Sequence, residues 1–166
     1  MSTYIALLRA INVGGTGKLS MARLRELCRS DGFERVKSYI QSGNLVLDSP
    51  LSQAQVKGRL ESLLQAELGK HHAVFVRTIA ELAEVLKANP FSEAEAGAVQ
   101  VVFFDQLPDL KVELAPDGER LLPGRREVYV VYPGGMGRSR LKAPGLQAGT
   151  GRNLNTLRKL LELAVE

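Results

Sequence analysis

The order of apolar patterns along residues 1–78 restricts the fold more than any other feature of this sequence. Short apolar runs predict buried strands, and apolar residues spaced three or four apart predict helices. The predicted elements are a strand at 3–9, a helix at 20–30, strands at 35–41 and 44–49, a helix that ends at Gly69, and a strand at 72–77. This β-α-β-β-α-β order is typical of the ferredoxin-like arrangement.

Cap residues support the two helices of this first half. Ser20 is the expected N-cap of the first helix. Ser52 and Gln55 form a capping box at the start of the second, and Gly69 is suited to end it. Each helix therefore has a start that the sequence marks independently of its apolar pattern.

The two central strands are predicted to form a hairpin. The dipeptide Ser42-Gly43 separates them and is a common hairpin turn. Placing Ile40 opposite Leu45 puts apolar residues on the same face of the pair. We therefore expect a short connection with this register.

The remainder of the chain partly repeats the first half. Its predicted elements are a linking helix at 79–88, a strand at 98–105, a short helix near 109–115, strands at 119–122 and 127–132, and a helix at 154–164. The order after the linking helix is β-α-β-β-α, a ferredoxin-like order without its last strand. We therefore predict an α+β fold with subdomains 1–78 and 79–166, packed as one compact unit.

Composition excludes several classes of protein. The single cysteine, Cys28, cannot form an internal disulfide, lies on the apolar stripe of the first helix and fits a reducing compartment. No apolar run approaches the about 20 residues of a membrane span, and the start of the chain does not resemble a signal peptide, so we expect a cytoplasmic protein. His71 and His72 are adjacent and point to opposite faces of a strand, so no metal site or cofactor is expected.

The positive charge is concentrated at the two ends of the sequence. Residues 1–25 contain four cations and no acid, and residues 128–166 contain six cations and two acids. The segment between them carries more acids than cations. If the two basic segments meet in space, they form a surface that attracts anions.

Two connections are longer than folding alone requires. Residues 10–19 contain three glycines between a strand and a helix, and residues 133–152 contain four cations and no acid. Glycine-rich loops before helices often bind phosphate groups. The first loop is not a Walker A motif, because Asn12 and Leu19 occupy positions that require glycine and serine or threonine.

Strand directions bring several polar residues of the first half to one end of the sheet. The loop after the first strand, the Ser42-Gly43 hairpin and the turn after Gly69 share that end. The candidate ligand-binding residues there are Arg9, Asn12, Lys18, Ser42 and Asn44, with one of His71 or His72 nearby.

A second group of candidates lies around the start of the last helix. Arg138 and Arg140 belong to the second long loop, and Arg152 and Asn155 flank Asn153, the expected N-cap. The positive end of a helix, surrounded by arginines, favours a phosphate or carboxylate group.

Five segments of the chain resemble a bacterial family known as domain of unknown function 1697. They are residues 7–15 (LLRAINVGG), 39–44 (YIQSGN), 89–91 (NPF), 137–141 (GRSRL) and 152–156 (RNLNT). Ala10, Arg140 and Leu154 differ from the glycine, lysine and tryptophan usual in the family. The resemblance implies an α+β fold built on ferredoxin-like elements, and it implies no established activity.

Three functions are compatible with these features. The leading hypothesis is binding of a phosphate-bearing ligand, such as a nucleotide or a nucleic acid backbone, at the basic, amide-rich site. The second is an enzyme that acts on a small anionic metabolite, with His71 or His72 as acid or base. The third is a protein-interaction module whose long loops become ordered on a partner.

Overall fold

The computed structural model describes residues 1–11, 19–40 and 43–166. Within these ranges the protein is a mixed α+β molecule with two four-stranded antiparallel sheets and four α-helices. The chain divides into two units. Unit 1 comprises Met1–Ala83 with Lys159–Glu166, and unit 2 comprises Glu84–Arg158. Each unit contains one sheet, so the two can be described separately.

Unit 1 is built on a sheet whose strands have the order β2-β3-β1-β4. Its strands are β1 (Ser2–Leu8), β2 (Glu34–Ser38), β3 (Asn44–Ser49) and β4 (Val74–Thr78). Alternate residues of β1 (Tyr4, Ala6 and Leu8) are buried in one core with apolar residues of the two helices that connect the strands. The alternation follows from the period of two along a strand.

The caps predicted for these two helices are confirmed. In α1 (Met21–Ser30), the Ser20 hydroxyl accepts a hydrogen bond from the Arg23 amide at 3.1 Å. In α2 (Gln53–Leu68), Ser52 and Gln55 form the reciprocal capping box. Gly69 ends α2 in the left-handed conformation that glycine adopts without strain.

The predicted register of the β2–β3 hairpin is wrong by two residues. Leu45 lies opposite Ser38 instead of Ile40. The backbone at Ile40 is left-handed, with a φ of 48°, and this conformation ends the extended strand early. The connection between the strands is therefore longer than a two-residue turn.

Unit 2 contains a sheet with the strand order β6-β7-β5-β8. Its strands are β5 (Val99–Phe103), β6 (Arg120–Pro123), β7 (Glu127–Val131) and β8 (Thr150–Asn153). The order of first, second, third and fourth strands is thus the same in both sheets. Helix α3 (Ile79–Lys87) follows β4, and α4 (Leu154–Val165) follows β8.

Two predictions for unit 2 are wrong. Residues 109–115 form no helix, because the Leu114 backbone pairs in an antiparallel bridge with Lys142. Residues 150–152, which the prediction assigned to a long loop before the last helix, belong to the strand β8. This strand has little apolar alternation, and β5 packs closely against its glycine and the one before it. An added Cβ at Gly151 would lie 2.9 Å from Gln100 Oε1, and one at Gly149, just before β8, would lie 2.4 Å from the Phe103 carbonyl oxygen.

None of the helices in the described ranges has the length and apolar character that a bilayer crossing requires. Cys28 is fully buried on the inner face of α1, as its position in the apolar stripe predicts. Burial raises the pKa of its thiol to about 12. The thiolate, which is the reactive form, is therefore rare at neutral pH.

We expect Cys28 to resist a thiol reagent in the native protein. With a pKa of about 12, about one thiol in 10⁴ is ionised at pH 8, and the protein covers the sulfur. Reaction with a chromogenic disulfide reagent is expected to follow unfolding, with full reactivity in denaturant. A Cys28→Ser variant supplies the blank, and rapid labelling of the native protein would contradict this account.

Candidate functional site

Three chain segments meet where strands of unit 1 end. The amide of Leu8 donates to the Gly43 carbonyl oxygen at 2.9 Å, and the amide of Arg9 donates to the Ala73 carbonyl oxygen at 2.9 Å. Asn44, the first residue of β3, lies opposite Leu7. The segments after β1, before β3 and before β4 are therefore adjacent. We call this place, formed by Arg9, Gly43, Asn44, His72 and Ala73, the strand-end site.

Gly43 permits the close approach of two of these segments. It has a φ of 78°, and an added Cβ would lie 3.0 Å from Leu8 Cβ and 3.2 Å from the Leu8 carbonyl oxygen. Contacts of this length are tighter than most Cβ contacts in proteins, and the positive φ disfavours other residues. A residue other than glycine at position 43 would therefore strain the contact between β1 and the hairpin.

Asn44 serves the structure of the hairpin. Its side chain is fully buried, and its Nδ2 donates a hydrogen bond to the Tyr39 carbonyl oxygen at 3.1 Å. This bond joins the two sides of the hairpin connection. Asn44 thus stabilises the hairpin connection at the strand-end site.

His72 is the buried histidine of the adjacent pair. It is 7% exposed, and its Nδ1 lies 3.3 Å from the Arg9 carbonyl oxygen. Because a carbonyl oxygen only accepts, Nδ1 carries the hydrogen, and a neutral ring then has a lone pair on Nε2. Nε2 is buried without a hydrogen-bond partner among the described residues. A buried polar atom without a partner costs about 1–3 kcal/mol.

The turn between α2 and β4 adds basic residues to this end of the sheet. Lys70 and His71 are exposed, and the side chain of Arg9 is partly exposed. Lys70 forms no ion pair with any residue in the described ranges. The sequence did not single out Lys70. The backbone hydrogen bond between Arg9 and Ala73, which the sequence does not reveal, brings the turn that contains Lys70 to this end of the sheet.

Two non-glycine residues near this site have a left-handed backbone. Ala10 has a φ of 55° and Ile40 a φ of 48°. This conformation is disfavoured for residues with a Cβ, most of all for a β-branched residue. The glycine usual at position 10 in the family that the chain resembles is explained by this conformation. Strained residues of this kind often occur at binding sites.

Three of the predicted site residues, Asn12, Lys18 and Ser42, lie outside the described residues. The remaining four belong to unit 2. Arg138 and Asn155 are exposed, Asn155 in the first turn of α4. Asn153 caps that helix, since its Oδ1 accepts a hydrogen bond from the Thr156 amide at 2.9 Å.

Arg140 is neutralised by a carboxylate of its own unit. Its Nη2 lies 2.9 Å from Asp117 Oδ1, and its backbone amide also donates to Asp117. These hydrogen bonds lower the pKa of the Asp117 carboxyl. Ser139, next to it, donates to Glu119. Arg140 therefore ties the second long loop to the segment before β6.

Arg152 is a buried component of β8. It is 8% exposed, and its Nη1 donates to Thr150 Oγ1 at 2.7 Å and to the Gly151 carbonyl oxygen at 2.9 Å. Burial lowers the pKa of its guanidinium to about 10. The sequence suggested an arginine at a helix start, and the structure places it within a strand.

No group of three or more potential metal-ligating side chains occurs in the described part of the chain. The donors needed for a histidine- or cysteine-based metal site are correspondingly few in the sequence. The chemistry available at the strand-end site therefore consists of hydrogen bonding, positive charge and one imidazole.

The chain belongs to the family described as protein of unknown function (DUF1697), whose model matches residues 1–129. It is also similar to a solved structure, that of the conserved bacterial protein SP0830 from Streptococcus pneumoniae. The identity is 25%, the TM-score is 0.79, and the match covers 98% of each chain. No curated protein matches the chain.

Replacing the strained residues should stabilise the protein. For Ala10→Gly we expect a gain of about 0.5–1 kcal/mol in the free energy of unfolding, because relief of the left-handed strain exceeds the added entropy of the unfolded chain. Ile40→Gly, at a half-exposed residue, should act in the same direction. Denaturant titration measures both.

Ala66→Gly is the matched control for this prediction. Ala66 is exposed within α2, where glycine costs about 1 kcal/mol. We expect Ala10→Gly to raise the free energy of unfolding and Ala66→Gly to lower it. Equal losses at both positions would show that position 10 carries no strain.

The two kinds of arginine in unit 2 should respond differently to substitution. Arg152→Gln removes a buried donor from Thr150 and Gly151, so we expect a loss of about 1–3 kcal/mol in the free energy of unfolding. Arg138→Gln, at an exposed residue, should change it by less than about 0.5 kcal/mol. Thermal and denaturant unfolding measure both variants. If the two substitutions lowered the free energy of unfolding equally, the assignment of Arg152 to the structural core would be contradicted.

Proposed function

We propose that unit 1 binds a phosphate-bearing ligand, a nucleotide or a nucleic acid backbone, at the strand-end site. The observation that carries the proposal is the buried imidazole of His72, which the Arg9 carbonyl orients and whose Nε2 has no partner among the described residues. A phosphate oxygen accepts hydrogen bonds, so it would supply that partner when the ring takes up a proton. The cost of the unsatisfied nitrogen is then recovered on binding.

The charges around His72 support an anion in preference to a cation. Arg9 and Lys70 are cationic. Arginine makes paired hydrogen bonds to phosphate oxygens, and lysine adds a compact charge. We include Asn12, Lys18 and Ser42 in the proposed site because they adjoin its described residues in the sequence.

Unit 2 supplies fewer candidate ligand-binding residues to the proposal than the sequence suggested. Arg140 is paired with Asp117, and Arg152 is bonded within β8. We therefore assign structural roles to these two arginines. Arg138 and Asn155 are exposed and stay candidates for ligand contacts.

We interpret both units as ferredoxin-like elements related by duplication. The strands of the two sheets have the same order, and each fourth strand is followed by a helix. Unit 1 has helices between its first and second and between its third and fourth strands. In unit 2 the segment between β5 and β6 contains no helix, and the segment between β7 and β8 contains only two short 3₁₀ turns. On this interpretation the second unit exchanged its helices for long connections.

Binding of inorganic pyrophosphate, ATP and a short single-stranded oligonucleotide, measured by calorimetry, tests the proposal. Loss of one charged hydrogen bond should weaken binding about tenfold, so Arg9→Gln and Lys70→Gln are each expected to do so. Arg125→Gln is the control, because it removes the same charge at an exposed residue of unit 2. Equal weakening by all three variants, or no binding of any probe, would overturn the proposal.

Salt dependence separates the two kinds of ligand. The affinity for a nucleic acid falls steeply as counterions are released, by about 0.7 logarithmic units per contacted phosphate of a single strand for each tenfold rise in salt. We expect a steep slope if the backbone of a nucleic acid is the ligand. A nearly flat affinity for the oligonucleotide would assign the site to a small phosphate ester.

Acid–base catalysis on a small anionic metabolite is a second candidate function. The hydrogen bond from Nδ1 to the Arg9 carbonyl holds the His72 ring in the tautomer whose Nε2 can accept a proton. This is the orientation that a general base requires. His71 has no comparable environment, since it is exposed.

A metabolite panel with paired histidine variants tests this candidate. If a substrate is found, His72→Gln should lower kcat by about 10²–10⁴-fold, and His71→Gln should leave it unchanged. Thermal unfolding of both variants verifies that they are folded. An unchanged kcat in the His72→Gln variant would show that His72 is not the catalytic acid or base.

A further inference from the structure

Unit 2 contains a cleft that the strand-end site does not include. Its volume is about 580 Å³, which is in the range of small-molecule sites. All of its lining residues belong to unit 2. They are Gln100, Val102, Glu113, Tyr132, Met136, Leu141, Lys142, Ala143, Pro144, Leu146, Gln147, Gly149 and Gly151. A single inorganic anion would fill only a small part of this space.

The floor of the cleft belongs to the sheet of unit 2. It is formed by β5, through Gln100 and Val102, and by the glycines at 149 and 151, which present no side chains. An added Cβ at Gly151 would lie 2.9 Å from Gln100 Oε1. Gly151 thus leaves room for the Gln100 side chain, whose amide lies against β8 in the lining of the cleft.

Another part of the cleft lining is held by backbone hydrogen bonds. The amides of Glu113 and Leu114 donate to the Lys142 carbonyl oxygen at 2.7 and 3.1 Å, and the Lys142 amide donates to the Leu114 carbonyl oxygen at 2.8 Å. These bonds anchor the apolar segment that includes Leu141 and Leu146. The cleft is therefore shaped by paired backbone on two sides.

The polar groups of the cleft favour an uncharged ligand. Its two charged residues, Lys142 and Glu113, have opposite signs and form no ion pair in the described part of the chain. The other polar side chains are two amides, Gln100 and Gln147, and the Tyr132 phenol. Burial raises the pKa of Tyr132, so the phenol stays protonated and can donate. Amides offer both donors and acceptors.

We propose that this cleft binds a planar, neutral heterocycle of the nucleobase class. The apolar side chains of Val102, Leu141 and Leu146 suit the faces of the ring. The Gln100 amide can pair with a ring edge that carries one donor and one acceptor, as glutamine does with adenine. This site differs from the strand-end site in both its residues and its charge.

Ligand-observed NMR with the four neutral ribonucleosides, followed by calorimetry, tests this proposal on the full chain. At least one nucleoside should bind, and Gln100→Leu should weaken it about tenfold by removing the paired edge. Gly151→Leu should abolish binding by displacing the Gln100 amide, because an added Cβ there would lie 2.9 Å from Gln100 Oε1. Gly134→Leu is the control, since an added Cβ there has nothing within 4 Å.

The outcomes separate this site from the strand-end site. Nucleoside binding should persist in Arg9→Gln and Lys70→Gln, and pyrophosphate binding should persist in Gln100→Leu. The inference is overturned if no nucleoside binds at millimolar concentration, or if binding is unchanged in both cleft variants. Equal binding of naphthalene-type rings that lack polar edges, unaffected by Gln100→Leu, would also overturn it. Thermal unfolding of each variant distinguishes a blocked cleft from a lost fold.

Discussion

Two backbone hydrogen bonds at the end of β1 determine what the rest of unit 1 can do. The bond from Leu8 to Gly43 holds the hairpin, and the bond from Arg9 to Ala73 holds the segment before β4. The first requires glycine at position 43, because a Cβ there meets β1. The second places the Arg9 carbonyl against His72. Without these bonds the basic residues of the site would belong to separate loops.

The two units use their cations differently. In unit 2, Arg140 is paired with a carboxylate and Arg152 is bonded within a strand, so both stabilise the fold. In unit 1, Arg9 and Lys70 adjoin His72, whose Nε2 is buried without a hydrogen-bond partner among the described residues. A positive net charge in the sequence therefore does not identify a site by itself. The structural roles of Arg140 and Arg152 became evident only from their contacts in the fold.

Local chemistry made much of the fold predictable. The Ser52–Gln55 capping box and the apolar stripe through Cys28 identified their helices because both depend on neighbours in sequence. The strand β8 was not predictable in this way, since the glycine-rich segment 133–152 was interpreted as a loop and the pairing of β8 with β5 is long-range in sequence. Arg152 is buried for the same reason, because it belongs to β8 and pairs with Val101 of β5. For the strand-end site, the sequence placed Arg9 and a histidine together but could not show which histidine is buried.

Imidazole nitrogen chemical shifts of His72 test the central claim most directly. Long-range ¹H–¹⁵N spectra report which ring nitrogen carries hydrogen, and the exposed His71 provides an internal reference. The account predicts that His72 carries its hydrogen on Nδ1 in the free protein and gains one on Nε2 when pyrophosphate is added, while His71 changes little. Hydrogen on Nε2 in the free protein, with no response to pyrophosphate, would contradict it.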